Sequence, residues 1–121
     1  MLISNPTAKL GEEIASKYLK DKGFKIIERN FRKGYGEIDI IATFQTTLVF
    51  IEVKTRTSKL YGGALESIAH HKLRSLIKTA QFYKMLHQNL PDALRIDAIL
   101  IDLDLKNNTQ NIEHIKNISD F

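Results

Sequence analysis

The order of periodic segments along the chain, αβββαβ, predicts an α/β sandwich in which a mixed central sheet is flanked by helices. Three observations carry this reading. A charge-sorted helical stripe opens the chain. Three strand-like segments follow, the last two joined by a short polar link. A long amphipathic helix then leads into an apolar run short enough for a buried strand.

Taken in order, residues 7–22 read as a helix. Thr7 offers an N-cap, Glu12 and Glu13 lie early, Lys17, Lys20 and Lys22 lie late, and Gly23 can close the end. Residues 24–30 read as a strand, Arg32-Lys33-Gly34-Tyr35-Gly36 as a turn, and residues 37–44 as a second, isoleucine-rich strand. Residues 47–55 alternate and are β-branched, and the Gln45-Thr46 link makes the last two strands an antiparallel hairpin. Gly62-Gly63 breaks the pattern. From 64 to 88, Leu65, Ile68, Ala69, Leu73, Leu76, Ile77, Ala80 and Tyr83 recur at helical spacing and should cover one sheet face. The apolar run 94–103 reads as a buried strand reached by a crossover, hence parallel to 47–55. A short last strand at 112–118 would follow a loop at 107–111. No repeat or linker is visible, so residues 1–121 are expected to form one domain.

Composition narrows the chemistry. With no cysteine, neither disulfides nor a thiolate zinc site can hold the chain, and any metal must be bound by oxygen. The N-terminus lacks a basic stretch followed by an apolar one, and no apolar run approaches membrane-spanning length, so a soluble cytoplasmic protein is expected. The net charge is +4, and the basic residues gather in three segments: Arg29, Arg32 and Lys33; Lys54, Arg56 and Lys59; Lys72, Arg74 and Lys78. Such placement suits a polyanion, though ordinary solvated charge would look the same.

Two carboxylates stand where a core strand should be apolar. Asp39 interrupts Glu37-Ile38-Asp39-Ile40-Ile41, and Glu52 interrupts Leu48-Val49-Phe50-Ile51-Glu52-Val53-Lys54. If Gln45-Thr46 is the whole loop, Phe44 faces Thr47, and counting back sets Asp39 opposite Glu52 and Glu37 opposite Lys54. Facing acids inside a sheet need a cation to offset their repulsion and desolvation. On the first helix, Ala8, Ala15 and Leu19 lie on the stripe of Glu12, which therefore points inward, whereas Glu13 should pair with Lys17 at the surface. Oxygen ligation by Asp39, Glu52 and Glu12 suits magnesium or manganese. Lys54, on the face of Glu52, could orient an attacking water or stabilise developing charge on a phosphoryl group. A buried network with Lys54 paired to one acid is the bland alternative, and Glu37 fits either a metal or a salt bridge to Lys54 or Arg56.

The stretches Gly11-Glu12, Gly36-Glu37-Ile38-Asp39-Ile40-Ile41-Ala42 and Phe50-Ile51-Glu52-Val53-Lys54-Thr55-Arg56 resemble the bacterial UPF0102 family, relatives of archaeal Holliday junction resolvases. That resemblance implies the restriction-endonuclease-like core of the PD-(D/E)xK nucleases. Asp39 would take the first acidic position, Glu52 and Lys54 the E-x-K pair, and Glu12 the helix acid. Ile38 stands where that motif has proline.

Two functions follow as expectations. One is a magnesium- or manganese-dependent endonuclease cutting DNA, branched or flapped in the manner of the resolvases, for which a homodimer would be suitable. The other is a module on the same fold that holds nucleic acid or a protein and never cuts. Arg56, Arg32, Lys33, Lys72 and Arg74 are the candidate phosphate contacts, Arg56 first because it follows the active strand. Tyr35 in the glycine turn could stack on a base or simply fill the turn. Adjacent His70 and His71 cannot form the i, i+4 pair of a zinc helix, and Asp97 beside Arg95 reads as structural.

Overall fold

The computed structural model describes residues 5–57 and 70–119, the side chains of 70 and 71 excepted. Lys59, the Gly62-Gly63 break, the start of the second helix at 64 and the orientation of His70 and His71 lie outside the described residues. The elements are α1 (Pro6–Asp21), β1 (Lys25–Lys33), β2 (Gly36–Phe44), β3 (Thr47–Arg56), α2 (His70–Leu86), β4 (Ala93–Asp104) and β5 (Thr109–Ile115). The αβββαβ order is the expected one, with β5 added at the edge. The five strands form one mixed sheet in chain order, antiparallel except for the parallel β3–β4 pair that α2 connects.

Each helix covers one face. Ala15 and Leu19 of α1 pack on Ile40, Ala42, Val49, Ile51, Ile99 and Ile101, while Leu76, Ala80 and Tyr83 of α2 pack on Ile38, Ile41, Leu48, Phe50 and Ile96. Strands apolar on both faces are the sequence signature of such a double-sided core. The N-cap of α1 is Asn5, not Thr7: its side chain accepts from Thr7 N–H at 3.0 Å and Ala8 N–H at 3.3 Å. Pro6 explains the shift, since its fixed φ and missing donor suit the first helical position. β5 begins earlier than expected because Asp104 accepts from the backbone and side-chain nitrogens of Asn107, and Asn108 adopts φ 52°, closing the turn tightly.

β1 and β2 do not alternate evenly. Arg29 reaches α1, yet Phe31, two residues on, packs in the α2-side core. Asn30, at φ 55°, turns the strand over between them. On β2 the reversal repeats opposite, with Ile40 in the α1-side core, Ile38 in the α2-side core, and Asp39 between.

Candidate active site

The hairpin register places the acids. Gln45, at φ 54°, closes the loop, and the β2–β3 ladder runs from Phe44↔Thr47 to Ile40↔Ile51, the expected phase. One step beyond, the backbone ladder gives way to a side chain: Asp39 Oδ2 accepts from Val53 N–H at 2.8 Å. Asp39 therefore lies where β2 reverses its faces, turned toward β3, and meets Glu52 there.

The two carboxyls interact directly. Burial and the neighbouring Glu52 push Asp39 up to about 7, against a partial opposing pull from the Val53 N–H. Burial raises Glu52 as well, although the Lys72 ammonium, a hydrogen bond with Asp39, and Lys54 all favour its ionised form. Asp39 is therefore held protonated to higher pH than an ordinary carboxyl, because burial and a second acid both disfavour its charge. Glu52 is 8% exposed, and its buried Oε2 has no hydrogen-bond partner, the Lys72 Nζ standing off at 3.6 Å. A buried, unsatisfied carboxylate oxygen beside a second acid is a donor set that suits a hard divalent cation.

Glu12 points inward as expected, its side chain 18% exposed against 60% for Glu13. It does not complete a trio. Among the described residues no three acidic or histidine side chains converge closely enough to hold an ion. Arg29 intervenes, 3.8 Å from Glu12 and 2.8 Å from Glu13, which also replaces the expected Glu13–Lys17 pair. Glu12 still senses the pair: burial and the charge of Asp39 raise its pKa, opposed by Arg29 and Asn30. Arg29 is the site residue that sequence reasoning missed. It was legible only as part of a basic cluster, because the reversal at Asn30 is what aims it at α1.

The basic candidates divide. Lys54 is exposed beside Glu52 and favours its ionised form. Lys72, a candidate phosphate contact, stands 3.6 Å from Glu52. Arg56, the leading phosphate candidate, bridges to Asp102 across the parallel pair, Nε at 2.9 Å and Nη2 at 3.3 Å from its two oxygens. Glu37 pairs with Arg32 at 2.9 Å, not with Lys54 or Arg56, because β1 faces it there and the β2–β3 ladder has ended. Lys33 and Arg74 are exposed, with no ion pair among the described residues. Asp97 pairs with Arg95 at 2.8 Å, as read from the sequence. A hollow of about 410 Å³ at the β4–β5 edge, lined by Asp102 and Asp104, presents acids and lies away from this cluster.

The family model described as "Uncharacterised protein family UPF0102" matches residues 11–101. The chain belongs to the UPF0102 family. The matched stretch of this UPF0102 chain takes in Glu12, Asp39, Glu52 and Lys54. A UPF0102 protein of Persephonella marina (strain DSM 14350 / EX-H1) is 47% identical over 113 residues, covering 93% of this chain and 92% of its own. A second, from Clostridium botulinum (strain Loch Maree / Type A3), is 44% identical over 110 residues, covering 88% of each. A third, from Caldanaerobacter subterraneus subsp. tengcongensis, is 40% identical over 109 residues, covering 89% of each. Among solved structures, "Structure of EndoMS-dsDNA2 complex" aligns with a TM-score of 0.45 and 18% identity, covering 83% of this chain and 37% of that one. No helix among the described residues is long and apolar enough to cross a membrane.

Proposed function

We propose that this chain is a metal-dependent endonuclease that hydrolyses phosphodiester bonds in DNA, with branched or flapped DNA as its substrate class. The observation that carries this reading is the Asp39–Glu52 pair: a half-buried and a buried acid side by side, one oxygen of Glu52 unsatisfied, at the point where β2 and β3 part. Asp39 and Glu52 would hold magnesium or manganese, which when bound supplies Lewis-acid activation of a phosphoryl oxygen and of water. Asp39 is oriented for this by the Val53 N–H, which fixes its Oδ2. To hold such an ion Asp39 would have to be ionised, and its raised pKa of about 7 means that metal affinity would rise with pH through that range. Lys54, exposed on the face of Glu52, is placed to meet the anionic substrate and stabilise charge that develops on it.

A second reading, a nucleic-acid-binding module that never cuts, has its own observation. Lys72 on Glu52 and Arg29 on Glu12 are cations of the chain itself, and they offset the acids without an ion. Thermal denaturation separates the two. Millimolar manganese or magnesium should raise the melting temperature of the parent, and Asp39→Ala or Glu52→Ala should abolish that rise. Linear, flapped and four-way DNA incubated with manganese should then be cut by the parent and not by either variant. A parent that melts identically with and without metal supports the silent module and overturns the nuclease.

A further inference from the structure

The acid pair leaves one built surface of the molecule unused. α2 has no acidic residue, and its outward stripe runs Arg74, Lys78, Gln81, Met85 at the i, i+4, i+7, i+11 spacing of one helix face. Beside that stripe stands Tyr35 at the tip of the β1–β2 turn, 56% exposed. Its ring meets Phe82 edge-on, centroids 6.2 Å apart at 70°. The turn is clasped to the helix: the Ser75 hydroxyl donates to the Tyr35 carbonyl, and a Cβ at Gly36 would collide with the same hydroxyl. Tyr35, Lys78, Gln81, Phe82 and Met85 thus line a groove of about 380 Å³ whose aromatic wall is held rigidly by backbone contacts.

The chemistry of this groove is aromatic and cationic together. A polyanion is favoured because Arg74, Lys78 and, across the turn, Lys33 are exposed with no acid paired to them among the described residues. The exposed tyrosine selects further. A stacking ring can engage a base only when that base is out of a continuous duplex stack. The same helix links the groove to the acids: Lys72, which stands 3.6 Å from Glu52, is six residues from Lys78, about 9 Å along the axis. We infer that the groove between the β1–β2 turn and α2 holds an unpaired DNA base stacked on Tyr35, with the adjoining phosphate on Lys78. This rests on the DNA reading above and narrows it to substrates that carry a single-stranded segment next to the cut.

The chain has no tryptophan, so Tyr35→Trp supplies a lone indole in the groove, excited selectively over the remaining tyrosines. In EDTA, where nothing is cut, a thymidine homopolymer should quench its emission and a blunt duplex of equal length should not. Tyr35→Ala should weaken binding of single-stranded and flapped DNA roughly tenfold, the scale of one lost base–aromatic stack, and leave blunt-duplex affinity unchanged. Tyr35→Phe should bind as the parent does. Lys78→Ala should flatten the salt dependence of single-strand binding by about one ion. The Tyr35 ring is exposed and its turn is held through backbone, so unchanged melting temperatures are expected for all these variants. Absence of quenching, an equal loss on blunt duplex, or tighter binding of a uridine homopolymer overturns the assignment. Failure of the nuclease reading is separately visible: a parent that stacks single strands yet never cuts leaves this inference standing. Conversely, a parent that cuts while Tyr35→Ala binds flapped DNA unchanged defeats this one alone.

Discussion

Asp39 makes its strain readable by pH. Its protonated form is favoured in the folded state, with a pKa near 7 against an ordinary value of 3.8. A raised folded pKa contributes stability that is complete below the unfolded value and lost as pH rises through the folded one. The metal-free protein should therefore be more stable at pH 5 than at pH 8. Burial gives Glu52 and Glu12 shifts of the same sign, and the lowered Asp97 acts only at more acidic pH. Asp39→Asn keeps an oxygen for the Val53 N–H and offers Glu52 an amide donor in place of a like charge. In EDTA at pH 8 it should raise the melting temperature by roughly 5 °C, the shift that about 1 kcal/mol produces in a small domain, and flatten the slope between pH 5 and 8. A lower melting temperature for Asp39→Asn at pH 8 sinks this account. Lys54 calls for the opposite pattern. Because it is exposed and bonds no ligand, Lys54→Ala should leave the manganese-induced rise in melting temperature intact while slowing cleavage 10²- to 10³-fold, roughly the cost of removing one charge-stabilising donor. Cleavage at the parent's rate would strip Lys54 of its assigned role.

Among the elements, α1 is placed by a glycine. Gly11 is buried in the middle of the helix, and a Cβ there would collide with the Thr55 hydroxyl of β3 and sit 2.9 Å from its Cβ. Helix propensity alone says that Gly11→Ala gains about 1 kcal/mol. Contact says the reverse, since overpacking costs about 1–3 kcal/mol and backbone must shift to relieve it. Gly11→Ala should thus destabilise in urea titration by roughly 1–2 kcal/mol net, and Thr55→Ala should rescue it only in part because the close Cβ remains. A stabilised Gly11→Ala variant would show that α1 does not approach β3 so nearly. The same helix shows what the sequence makes legible. Glu12 was distinguishable from Glu13 because helical periodicity is a local rule, and the hairpin register followed from a two-residue loop for the same reason. What was hidden is what tertiary geometry decides. The positive φ at Asn30 reverses β1, and no propensity marks it beyond a tolerance of asparagine for that conformation. Arg29 consequently meets Glu12, and Lys72 meets Glu52, where spacing alone offered Lys17 for Glu13 and Lys54 for the acids.

Across the whole molecule, the sheet is tied at a point remote in role from the acid pair. Asp97 is fully buried on β4, where it accepts from Arg95 at 2.8 and 3.0 Å, from His114 Nε2 of β5 at 2.8 Å, and from the Asn117 N–H at 2.9 Å. Where Nε2 donates to Asp97, Nδ1 of the same ring can accept from the Tyr18 hydroxyl of α1 at 3.2 Å. One carboxylate thereby joins β4, β5, the C-terminal segment and, through the imidazole, the helix that carries Glu12. Burial raises its pKa, but the hydrogen bonds from His114, Arg95 and Asn117 outweigh it and hold the group below the usual carboxylate range. This is the inverse of Asp39, which is partly buried and has a second acid where Asp97 has donors. The contrast separates a carboxylate that holds the fold from one that strains it. Asp97→Ala leaves the half-buried Arg95 guanidinium, the His114 ring and a backbone donor without their shared partner, so it should cost about 2–3 kcal/mol in urea denaturation, while Asp39→Ala should cost far less or stabilise. If Asp97→Ala retains enough fold to be studied, manganese should still raise its melting temperature, because the acid pair on β2 and β3 does not draw on this network. A loss below about 1 kcal/mol would mean that β5 and α1 are held by their apolar faces alone, and that the buried network is incidental to the sheet it crosses.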